Sequence, residues 1–187
     1  MKKTFLTLSI ISLLFSACEE DKDPFLINTN GIGSITKETK IRQLDSIFEN
    51  DSLVKIPEEA NRMSNMEQFE IYEKGGQKLL LITPQKSKDP EARINNVQVF
   101  DERYKTENGL TINSTFKEVK EKYTISSIVN TMRSIVISLE GTDVYITIDK
   151  EVLPDAIKYQ FGSEVKATDI PDDAKIKFFM IGWESNE

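Results

Sequence analysis

The chain has no histidine, one cysteine at position 18 and one tryptophan at position 183. Without histidine it lacks the commonest general base near neutral pH and the commonest transition-metal ligand. Ser–His–Asp and Cys–His arrangements are therefore excluded, as are imidazole or thiolate zinc sites. A lone cysteine also rules out a disulfide within the chain. Basic runs are missing: 24 Lys and Arg face 31 Asp and Glu, a net charge of −7, and no basic run exceeds two residues. Nucleic acid and anionic lipid surfaces both call for basic patches, so this balance argues against them. No hydrophobic run is long enough to cross a bilayer. The longest, residues 5–15, is about half of the ~20 helical residues a hydrocarbon core requires.

That short run has a setting of its own. Lys2 and Lys3 precede it, and Ser16-Ala17-Cys18 closes it with small residues and a cysteine. The order reads as a bacterial lipoprotein signal peptide over residues 1–17, cleaved after Ala17, with the lipid carried on Cys18. Removing 1–17 takes away two lysines and no acid, which leaves the remainder more acidic still. Glu19, Glu20 and Asp21 follow the cysteine. Residues 18–29 read as an acidic flexible tether, and the acid cluster resembles the export tag of lipoproteins bound for the outer leaflet. The expected location is the Gram-negative envelope, as an outer-membrane lipoprotein on the periplasmic face or the cell surface.

The remainder shows a faint tandem repeat. Residues 36–48 align with 111–123 without a gap, matching Ile41 to Phe116, Leu44 to Val119 and Phe48 to Tyr123. The i, i+3, i+7 spacing predicts two short amphipathic helices, and Thr115 with Glu118 has capping-box spacing. Residues 69–82 align with 135–148, each pair of β-rich runs broken by Gly75-Gly76 or Gly141-Thr142, which predicts two hairpins. A further run follows each hairpin, at 97–100 and 176–181. The fold class expected is α+β: two tandem, weakly similar units, 30–104 and 105–187, each a short helix packed on a small antiparallel sheet. The pattern leaves open whether the two sheets merge.

The order of several short motifs resembles one family. These are the run 30–41 opening on Asn30-Gly31-Ile32-Gly33, then 69–72, 94–101, 109–116 and the closing Gly182-Trp183. Together with the Cys18 motif they look like the sigma-E-regulated lipoproteins of Gram-negative bacteria. The resemblance covers nearly all of the chain after the signal peptide. It implies an envelope lipoprotein under stress control, in a family whose function is uncharacterised and which carries over no catalytic residue.

For chemistry, only carboxylates are left. Asp169, Asp172 and Asp173 are the densest acids after the tether and the weak candidates for a hard cation, yet they lack the glycine and alternate-acid spacing of a calcium loop. Gly31-Ile32-Gly33 is no nucleotide loop, because Thr36 stands where a dinucleotide fingerprint needs glycine. It reads as a turn where the tether joins the fold. No cofactor and no catalytic residue is expected. The expected function is binding by a lipid-anchored envelope protein, whose partners are the membrane through Cys18 and another envelope protein. The alternative is a lipoprotein that binds a small ligand or cation.

Overall fold

The computed structural model describes residues 23–60, 65–159 and 162–183. Cys18 and the expected signal peptide lie outside them. In chain order the elements are β1 (Leu26–Asn28), β2 (Gly31–Ile32), β3 (Ile35–Thr36), α1 (Leu44–Ile47), β4 (Ser52–Ile56), β5 (Gln68–Tyr72), β6 (Lys78–Pro84), β7 (Ile94–Val99) and β8 (Lys105–Thr106). They continue with α2 (Phe116–Lys122), β9 (Ile125–Asn130), β10 (Ser134–Leu139), β11 (Val144–Asp149), α3 (Asp155–Lys158) and β12 (Ile176–Gly182).

The expected α+β class is corrected by this inventory. Among the described residues twelve strands stand against one helix longer than four residues, α2, and the strands form one sheet of eight and another of four. Helices of four and seven residues are far below the length that is stable alone. They cap a β fold instead of forming a layer of their own. The predicted first helix shrinks accordingly: residues 41–43 are a 3-10 turn and α1 adds one turn. Each unit also holds a strand beyond the helix–hairpin–strand pattern, β4 in one and β9 in the other.

The large sheet runs β4-β5-β6-β7-β12-β11-β10-β9, antiparallel throughout. Each half is a four-stranded meander, and the last strands of the two halves, β7 and β12, pair with each other. The order is a palindrome, so an approximate twofold passes between β7 and β12. The two units thus share one sheet. Register carries a single apolar row across all eight strands: Leu53, Ile71, Leu80, Val99, Phe179, Ile146, Ile137 and Ile128. The six inner members are 0–1 % exposed. Leu44, Phe116 and Val119 from α1 and α2, with Ile27, Ile32 and Ile35 from the small sheet, complete the same core from one side.

Local chemistry explains the turns. Gly75, Gly76 and Gly141 have φ of 121°, 94° and 72°, values that L side chains rarely adopt, and they close the two predicted hairpins. The capping box is present: the Thr115 N–H donates to Glu118 Oε2 at 2.7 Å, and the Glu118 N–H to Thr115 Oγ1 at 3.4 Å.

The small sheet ties the start of the described chain to the junction between the halves. β1 pairs parallel with β8, and Ile27 is 2 % exposed, so part of the segment read as a tether belongs to the fold. Phe25 sets its ring edge-on to Tyr104, with centroids 5.0 Å apart, and the Arg103 guanidinium lies 4.4 Å from the Phe25 centroid. Asp101 holds that guanidinium with both oxygens, at 2.9 Å each, and Glu73 takes its remaining arm at 2.8 Å. Gly33 turns the chain at φ 54°, where a Cβ would come within 2.2 Å of the Pro24 carbonyl oxygen.

The Arg103 hydrogen bonds hold Asp101 below the usual carboxylate range. A depressed folded-state pKa stabilises the fold above the unfolded value, about 3.9, and the contribution is lost as pH falls through the folded value. Asp101→Asn should therefore unfold at lower urea than wild type at neutral pH, and the gap should close below about pH 4. A gap that persists in acid would remove the charge from this account.

Candidate functional site

One face of the large sheet packs on the core; the other is uncovered among the described residues. Strand alternation puts Val54, Glu70, Leu81, Gln98, Met180 and Tyr145 in one row across that open face. All are half-buried except Val54, which is 45 % exposed. A second row, Val129, Val136, Thr147 and Phe178, crosses the second half. The Thr147 hydroxyl has no hydrogen-bond partner although the residue is only 8 % exposed.

Beside the first row, where β7 begins and β12 ends, lies a cleft of about 680 Å³ lined in part by Lys37, Arg93, Asn96, Asp143, Tyr145 and Trp183. Its wall is a packed pair. The Tyr145 ring lies over Gly182, where an added Cβ would come within 2.9 Å of Cε1, and the Asn96 amide donates to the Tyr145 hydroxyl. Close approach is what requires glycine here, not backbone conformation. Burial pushes the Tyr145 phenol up, against an opposing pull from Asn96. It is a neutral hydrogen-bonding group, not a base. Arg93 pairs with Glu38 at 2.8 Å. The cleft offers amide, phenol and cationic donors, an arrangement suited to holding a polar group.

Several acids elsewhere serve the fold. The two buried acids among the described residues, Glu67 and Asp101, are both engaged. Glu67 meets Lys55 at 2.7 Å and accepts from the Lys88 N–H at 2.9 Å, which ties the 85–90 loop to the sheet edge. Every described carboxyl whose pKa departs from its ordinary value moves down, including Asp149 beside Lys177 and Asp172 beside Lys120. At Glu70 burial pushes upward, and hydrogen bonds from Lys78 and Tyr72 more than reverse it. General acids need the opposite shift.

The acids singled out from sequence do not converge. Asp169 Oδ2 accepts the Lys166 N–H at 2.8 Å, Asp172 Oδ1 meets Lys120 Nζ at 2.5 Å, and Asp173 is exposed. Among the described residues no three acids are grouped to hold a metal ion. Of the terminal aromatics, Phe179 and Trp183 are core and Phe178 is 40 % exposed. Tyr145 and Asn96 were not singled out from sequence. The alternation of β11 signals that Tyr145 faces away from the core, but its contact with Gly182 depends on the β11–β12 register.

Gly182→Ala should cost about 1–3 kcal/mol by overpacking against Tyr145. On a Tyr145→Ala background the added cost should vanish, which a double-mutant cycle in urea measures. Thr147→Val removes an unpartnered buried hydroxyl at constant shape. Its stability should equal or exceed that of wild type, and a loss above about 1 kcal/mol would reveal a partner for the hydroxyl.

No protein-family profile matches the chain, and no curated protein is similar to it. Among solved structures it is similar to the crystal structure of the uncharacterised protein YfeY from Escherichia coli. The TM-score is 0.56 and the identity 15 %, over 83 % of this chain and 97 % of that one. At that identity the likeness is one of fold, so what this chain shares with YfeY is an architecture.

Proposed function

We propose that this is a lipid-anchored protein of the Gram-negative envelope that acts by binding another envelope protein, and that it is a relative of the sigma-E-regulated lipoproteins. The observation that carries the binding reading is the open face: a full side of an eight-stranded sheet, with Leu81, Met180 and Tyr145 half-buried along one row and no described element over them. The Ser16-Ala17-Cys18 motif supports the anchor, and the order of motifs from Asn30 to Trp183 supports the kinship. The shared architecture with YfeY is compatible with both and specifies neither.

Catalysis has little to draw on. The sequence has no histidine, the buried acids tie loops and strands together, and shifted carboxyls are held as anions. The second reading, a small polar ligand in the Tyr145 cleft, rests on the donors gathered there. Its cation version fares worse, because Asp169 and Asp172 are already spent on Lys166 and Lys120.

Cys18→Ser should shift the protein from the membrane to the soluble fraction, and the N-terminal peptide of the wild type should carry the lipid mass on Cys18. A photo-crosslinking amino acid replacing Met180 should yield discrete protein adducts in living cells, whereas one replacing Glu140, in the β10–β11 turn, should not. Identical adduct patterns at both positions would remove the open face from the binding reading.

A further inference from the structure

Six large apolar side chains are exposed among the described residues, and four gather at one end of the second half: Met132, 74 % exposed, Tyr159, 70 %, Phe178, 40 %, and Val152, 39 %. Met132 sits in the β9–β10 turn, Val152 and Tyr159 follow β11, and Phe178 is the third residue of β12. Met132 and Tyr159 line one shallow depression with Arg133, Lys158 and Lys177. Val152 lines its neighbour with Lys175, and the two depressions share Asp149 and Lys177. Lys158 Nζ lies 5.6 Å from the Tyr159 ring, and Lys177 Nζ 5.9 Å from that of Phe178. Asp149 neutralises Lys177, Glu151 pairs with Lys158, and Asp173 borders the second depression. The chain is acidic overall, yet this end is not.

The start of the described chain leaves from the same end of the sheet. β7 finishes at Val99, opposite Phe179 of β12, and two residues on Asp101 holds the Arg103 that clamps Phe25. From Cys18 to Asp23 there are five chain links, a reach of at most ~18 Å. A lipid on Cys18 therefore keeps this end within that reach of the bilayer.

We propose that this end is a membrane-contacting surface: Met132, Val152, Tyr159 and Phe178 enter the interfacial zone of the bilayer, with Arg133, Lys158, Lys175 and Lys177 at headgroup level. Tyrosine is at home at that depth, and lysine and arginine stems lie along apolar surface while their charges stay in water. The contact adds a second attachment to the acyl anchor and fixes orientation. Strands then stand steeply to the membrane, and the Tyr145 cleft, at the opposite end of β11 and β12, faces away from it. The proposal rests on the Cys18 anchor for its setting.

The test uses vesicles of phosphatidylethanolamine and phosphatidylglycerol containing spin-labelled lipid as quencher. A fluorophore is placed on Met132→Cys, or on Glu140→Cys at the far end. Each labelled protein is held either by its own lipid or, as Cys18→Ser with a histidine tag ahead of residue 18, by nickel-chelating lipid. The expected result is loss of emission at position 132 and none at position 140 on both tethers. Equal quenching at the two positions on the chelating tether overturns the proposal and leaves the patch to a protein partner. The mass of the Cys18 peptide reads the anchor separately: quenching at 132 without lipid on Cys18 keeps the surface and discards the anchor.

Discussion

The pairing of β7 with β12 is the constraint on which the rest depends. Each half is a four-stranded meander with its own helical turns, and each would present an open edge if it stood alone. Joining the two last strands turns Val97, Val99, Phe179 and Ile181 from edge residues into the centre of the sheet. The apolar row from Leu53 to Ile128 exists only because that register is kept across the junction. Shifting it by one residue would turn one half's apolar set to the open face. The cleft depends on it as well, because its walls come from β7, β11 and the end of β12.

What local chemistry could announce, the sequence announced. Gly75-Gly76 and Gly141 marked the hairpins, Thr115 with Glu118 marked the start of α2, and the apolar positions at 41, 44, 116 and 119 proved buried. What depended on distant partners stayed hidden. β1 is three residues long and owes its existence to β8, nearly eighty residues away, so Ile27 looked like the end of an acidic tether. β9 carries two serines, and a register shift opposite Ser138 and Leu139 breaks its alternation. β4 is half-exposed and holds Lys55 among its apolar residues. Pattern alone does not reveal those strands, so the short helices pull an expectation from sequence towards α+β. The contact of Tyr145 with Gly182 was invisible for the same reason, since it is a matter of register.

Charge has a double use in this molecule. Acids tie the fold together: Asp101 fixes Arg103, Glu67 fixes the loop beside β4, and Asp172 reaches Lys120 on α2. The remaining basic side chains are unevenly spread, and those around Met132 and Tyr159 accompany exposed apolar groups. Net charge alone conceals that asymmetry.

The palindromic strand order also has a kinetic side. β7 ends at residue 99 and its partner β12 begins at residue 176, so about half the folded chain must be in place before the central pair can close. Sheets dominated by such distant pairings are slow to fold, on the scale of milliseconds to seconds. Throughout that interval β7, with Ile94, Val97 and Val99 on its core side, is a bare edge open to the wrong strand. For this fold, completing the last strand is the moment at which a sticky intermediate becomes a closed molecule.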